Sequence, residues 1–193
     1  MNLPGSAAES SRLAIWQRRF GKTRVQGAYL LVTSIISFGT LALIAVLLQQ
    51  PFVFPSLGAS VFVFYFSAQS VQAAPRNVFF GQLIGLLAGV FALAIFGLLD
   101  VGPDLTGVSW ARAGALTLAL CLTLSVMVWL RVPHAPAGAT TLIVAAGLMT
   151  SPQQLVVLLL AVLVIIGQAI VISRVVGVPI PLWAPAATSR ASR

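Results

Sequence analysis

Residues 78–99 read VFFGQLIGLLAGVFALAIFGLL, an apolar run with no charged side chain. A run of this length reaches the ~20 residues a helix needs to cross the ~30 Å hydrocarbon core of a bilayer. Inside it Gly81, Gly85 and Gly89 fall every four positions. On a helix that spacing makes one continuous glycine stripe, which lets another helix approach closely. Gln82 interrupts the run as a polar group that must face the interior of a bundle, as an interhelical hydrogen bond or as cavity lining.

Three further runs have similar length: 28–48, 112–130 and 153–173. Two shorter apolar runs, 56–73 and 137–150, lie between them. Each is entered through prolines, Pro51 and Pro55 for the first and Pro133 and Pro136 for the second. Composition agrees with a lipid-facing surface. Only 7% of the 193 residues are charged and 59% are hydrophobic, with a mean hydropathy of +1.04. A soluble domain carries about 25% charged residues. The fold class expected is all-α integral membrane.

The net charge of +8 does not point to nucleic acid, because the basic residues are placed as topology signals. Arg12, Arg18, Arg19, Lys22 and Arg24 precede the first long run, and most others sit singly at run ends. If all six runs cross and the basic arm is cytoplasmic, then Arg76, Arg131, Arg174, Arg190 and Arg193 fall on the same side, with Asp100 and Asp104 outside. Only Arg112 breaks the pattern, at an outer helix end from which it can snorkel. Six spans therefore fit better than four spans plus two re-entrant segments, the alternative. Both termini are expected in the cytoplasm of a bacterial inner membrane. Trp110 and Trp129 stand at the two ends of their run, as interfacial anchors do.

The chain divides into a basic arm, residues 1–25, a transmembrane region, 26–175, and a proline-rich tail, 176–193. Ser10 or Ser11 could cap an amphipathic helix carrying Leu13, Trp16 and Phe20 on one face, lying in the headgroup layer. A disordered topogenic tail is the other reading. The lone Cys121 excludes an intrachain disulfide and is expected to pack as a small hydrophobe.

The order of elements repeats: long run, proline entry, short run, proline, long run. Pro55-Ser56-Leu57-Gly58-Ala59-Ser60 opens the first short run, and Pro136-Ala137-Gly138-Ala139-Thr140-Thr141 opens the second. Three passes per half would invert the second half relative to the first, a pattern of secondary transporters. A helix that starts inside the membrane offers unpaired N–H groups and the positive end of its dipole. A small anion can pair with them. The candidate binding residues are thus Ser56, Gly58, Ala59, Ser60, Gly138, Ala139, Thr140 and Thr141, with Arg76, Asn77 and His134 at a mouth. The same Gly-Ala-Ser/Thr pattern also serves plain helix packing, in a membrane scaffold that binds a partner or forms a homo-oligomer.

No enzyme, metal site or cofactor is expected. The three carboxylates lie outside the runs, His134 is the only histidine, and no nucleotide-binding loop is present.

Ser56–Ser60, Pro75-Arg76-Asn77-Val78 and His134-Ala135-Pro136-Ala137-Gly138-Ala139-Thr140 resemble the corresponding blocks of the HPP family of integral membrane proteins. The likeness runs over roughly residues 28–175. The His-Pro-Pro signature that names the family is His134-Ala135-Pro136 here, which relaxes the turn and restores a backbone N–H. Some plant plastid and cyanobacterial members are implicated in nitrite transport. The resemblance therefore implies a transporter or channel for a small monovalent anion, with nitrite the first candidate and the lipid bilayer and the anion as partners.

Overall fold

A computed structural model of the chain describes residues 11–50, 52–103, 107–178 and 180–185. Ser10, Pro51, Asp104, Pro179, Arg190 and Arg193 lie outside the described residues. The described residues form seven α-helices and no strand: α1 Arg12–Phe20, α2 Lys22–Leu48, α3 Pro55–Phe66, α4 Pro75–Ile95, α5 Trp110–Trp129, α6 Ala137–Ala145 and α7 Pro152–Val176. A 3-10 turn, Val71–Ala73, precedes α4.

Local sequence explains most boundaries. Proline is the first residue of α3, α4 and α7, where its missing N–H costs nothing. Ser11 caps α1 through Ala14 N, and Ser151 and Gln154 form a capping box on α7. Gly177 ends α7 in the left-handed conformation, with φ of 79°.

α2, α4, α5 and α7 are long and apolar enough to cross a membrane. At 1.5 Å per residue, α3 and α6 reach only about 18 and 14 Å. Hydrogen bonds nevertheless show that both run from one end of the bundle to the other. Gln26, at the start of α2, donates to Tyr65 O near the end of α3. The backbone between α2 and α3, at Phe54, is extended and buried, so it adds length to the short helix. His134 binds Gln72 O beside the start of α4, while Ala145 O at the end of α6 binds Arg112 at the start of α5. The chain thus traverses the bundle six times, as the charge pattern predicts, and the re-entrant alternative does not fit these contacts.

Arg76, Arg131 and Arg174 accordingly share the end that carries α1. The backbone N–H of Arg76 donates to Trp183 O in the tail, and Gly177 lies beside Ser11. Arg112 departs from expectation. It is 6% exposed and does not snorkel. Its guanidinium turns inward and donates to Ala145 O, Val101 O and Gly102 O at 2.9–3.2 Å. Three carbonyls at loop and helix ends would otherwise lack donors, so they draw the cation in. Cys121 is a second correction: it is exposed on α5 and does not pack inside. Trp110 and Trp129 are both exposed, at opposite ends of α5.

The larger apolar core joins Leu41 of α2, Leu57, Val61 and Phe64 of α3, Val78 and Leu86 of α4 and the Leu158–Ile165 face of α7. A smaller one joins Leu93, Leu98, Ala115, Ala119 and Val144 near the Arg112 end.

Candidate functional site

The glycine stripe of α4 sets the geometry. A Cβ on Gly81 would lie 2.7 Å from His134 Cβ. One on Gly85 would lie 2.7 Å from Ala137 O and 2.8 Å from Thr141 Oγ1, and one on Gly89 would lie 2.8 Å from Val144 Cβ. No side chain fits at these three positions without displacing α6 or the turn before it. The pairing order, 81 with 134, 85 with 137 and 141, 89 with 144, shows α4 and α6 running parallel in close contact.

That approach brings Gln82 to the centre of a buried polar chain. Thr140 Oγ1 of α6 donates to Gln82 Oε1. Gln82 Nε2 donates to Ser60 Oγ of α3 at 3.1 Å, and Ser60 lies 2.9 Å from His134 Nε2. His134 Nδ1 lies 3.0 Å from Gln72 O. A carbonyl only accepts, so Nδ1 carries the hydrogen, and in the neutral ring Nε2 accepts from Ser60. Ser60 Oγ also lies 3.2 Å from Ser56 O, a second acceptor for the same hydroxyl. Ser60, Gln82, His134 and Thr140 are all at most 1% exposed.

Ser56, one turn before Ser60 on the same face of α3, is 0% exposed, and its Oγ has no partner. Buried hydroxyls are almost always satisfied, so an orphan here marks either a ligand position or a strained one. A second polar pair lies beside the chain. Thr123 of α5 and Thr141 of α6 share a 2.8 Å hydrogen bond, and Thr141 also donates to Ala137 O.

Of the residues picked from sequence, the structure brings Ser56, Ser60, Thr140 and His134 together. Gly58 has its nearest neighbour in the Phe38 ring of α2, and Ala59 is exposed. Gly138 faces Leu120 of α5, while Ala139 is half-buried outside the hydrogen-bonded chain. The start of α6 does not offer free donors, because the N–H groups of Ala137, Gly138 and Ala139 bond His134 O, Ala135 O and Pro136 O. At α6 the expectation of an open helix start is corrected, and what the two short helices bring together is side-chain hydroxyls meeting at Gln82.

His134 and Asn77 are both 0% exposed, so neither lies at an open mouth in this conformation. Asn77 Nδ2 donates to Val71 O and ties the 3-10 turn to α4. Arg76 is half-buried at the start of α4. Gln72 and Thr123 carried no signal in the sequence. Gln72 receives His134 on its carbonyl and the Ala135 N–H on its Oε1. That N–H exists only because position 135 is not proline.

Residues 22–181 match the family described as HPP, transmembrane region. The chain belongs to the HPP family. No curated protein and no solved structure gives a significant match. Family membership agrees with the apolar helices in making this an integral membrane protein.

Proposed function

We propose that this HPP-family chain is a transporter for a small monovalent anion, with nitrite the first candidate. One observation carries the reading. Hydroxyls from both proline-entered short helices converge on Gln82 in the middle of the bundle, next to a buried hydroxyl, Ser56 Oγ, that has no partner. A transport protein needs polar groups at mid-membrane depth, where they are costly unless paired with one another or with a solute. The donors here are neutral, which suits a weakly hydrated monovalent anion better than a phosphate. Direct hydrogen bonds close the waist, so passage requires α3, α4 and α6 to part. That favours a carrier over an open channel.

The rival reading is a non-transporting scaffold. It draws support from the same closure, because a dry, satisfied polar chain also locks helices together. Nitrite uptake into proteoliposomes holding the purified protein separates the two, with chloride and nitrate as competitors and empty liposomes controlling for nitrous acid leakage. Saturable uptake supports transport. Absence of flux for all three anions, from folded protein, supports the scaffold. Thr140→Val removes the donor to Gln82 Oε1. It should lower uptake about five-fold, the equivalent of ~1 kcal/mol, while membrane insertion is unchanged. Unchanged uptake would remove Thr140 from the site.

A further inference from the structure

We propose that His134 is a proton-binding site coupled to the anion, so that a proton and an anion occupy the waist together. The proposal rests on the anion-transport reading and deepens it.

The hydroxyl hydrogen of Ser60 has two acceptors available to it. With His134 neutral, Ser60 Oγ–H points to Nε2 at 2.9 Å while Ser60 Oγ accepts from Gln82 Nε2. If Nε2 takes a proton from the aqueous phase, two hydrogens would face each other across that contact. Ser56 O, 3.2 Å from Ser60 Oγ, removes the conflict. The hydroxyl rotates to donate to Ser56 O, and its lone pairs then accept from both Nε2–H and Gln82. Nδ1–H keeps its bond to Gln72 O throughout. No heavy atom needs to move, no bond is left unmade, and the imidazolium has one acceptor on each nitrogen.

What the protonated state lacks is a counter-charge. The groups that contact His134 are Ser60 Oγ of α3, the Gln72 carbonyl of the 3-10 turn and the Gly81 backbone of α4, with Gln82 bonded to that same Ser60 and Met127 of α5 also against Gly81, none of them charged. The charged residues in the adjoining segments, Arg131 just after α5 and Arg76 at the start of α4, are both cations. Asp100, the only acidic residue among the described residues, is exposed in the loop before α5, beyond the opposite end of α4. A lone imidazolium here is expensive, and so is a lone anion; together each lowers the cost of the other. Ser56 Oγ, buried and unpartnered one turn from Ser60, is the free donor for that anion. By linkage the effect is reciprocal: the anion raises the affinity of His134 for a proton by the factor by which protonation tightens the anion.

The test uses the full-length protein with a histidine-free affinity tag, labelled with 15N-histidine and held in lipid nanodiscs. His134 is the only histidine, so the ring gives a single pair of nitrogen signals. Without anion at pH 8 these should report a neutral ring protonated on Nδ1. Titration with and without saturating nitrate, at matched ionic strength in gluconate, should show the midpoint rise by about one unit, a ten-fold coupling. Ser56→Ala should shrink that rise. A neutral ring protonated on Nε2 overturns the proposal. So does a midpoint unchanged by nitrate in protein whose proteoliposomes still take up anion, which leaves the transport reading standing. An unchanged midpoint with no flux for any anion removes both.

Discussion

α2 and α4 are similarly apolar helices of membrane-crossing length, yet one lines the edge of the bundle and the other its centre. On α2 only Thr33, Ser37 and Leu41 are buried, a single stripe at four-residue spacing. Leu31, Ile35, Val46 and Leu47 are exposed around it. On α4 burial includes Asn77, Gln82, Gly81, Gly85, Gly89 and Ala92. Both helices carry glycines, but Gly27 and Gly39 of α2 face open space, while those of α4 touch His134, Ala137, Thr141 and Val144. Hydrophobicity decides that a helix enters lipid and says nothing of where it sits, since lipid tails solvate a leucine as well as a neighbouring helix does. Position is decided by small residues that admit another backbone and by polar groups that need partners.

The contrast breaks most sharply at matched glycines. Gly85→Leu forces a side chain into the Ala137 carbonyl and Thr141. It should cost about 3 kcal/mol or more, or prevent folding outright, read as loss of the monodisperse species and a lowered melting temperature in detergent. Gly39→Leu on α2 should change stability by no more than ~1 kcal/mol, in the stabilising direction, because leucine is the better helix former. Equal damage at both sites would discard the central-versus-peripheral distinction.

Arg112→Leu ranks next. Losing the guanidinium leaves the Ala145, Val101 and Gly102 carbonyls without that donor. A cost of about 1–3 kcal/mol is expected, with faster hydrogen exchange at the end of α6 and in the 98–102 loop. Arg112→Lys should recover only part, since one ammonium cannot span three carbonyls as the planar fork does. Full stability in Arg112→Leu would show that the inward cation is incidental.

The smallest effect is expected from Ala135→Pro, which restores the family's His-Pro-Pro. It deletes the N–H bonded to Gln72 Oε1, but the stiffer turn offsets the loss, so the net change should stay within ~1 kcal/mol. A melting temperature shifted further than that would show that this chain depends on its departure from the signature.

Residues 78–99 alone announced a membrane helix and a packing stripe, because length, apolarity and four-residue glycine spacing are properties of one segment. The basic residues likewise gave the order of passes, which contacts at both ends of the short helices match. Ser56, Ser60, Thr140 and His134 were picked as polar groups near prolines, where a helix must begin in an apolar setting. The glycines and alanines beside them were picked with the same logic and fell on other faces. A nine-residue helix turns each neighbour by about 100°, and the sequence does not say which face meets α4.

Sequence by itself therefore determined that this chain lives in lipid and roughly where its helices lie, although the short runs read as 56–73 and 137–150 are α-helical only over Pro55–Phe66 and Ala137–Ala145. Each follows from the transfer energy of residues and from proline geometry, both local quantities. Only the tertiary structure decided that Gly81, Gly85 and Gly89 receive α6, that Gln82 joins Ser60 to Thr140, and that Arg112 turns inward. Those outcomes depend on which partners arrive from segments tens of residues away. A buried polar group takes whatever partner the packing brings within hydrogen-bonding reach.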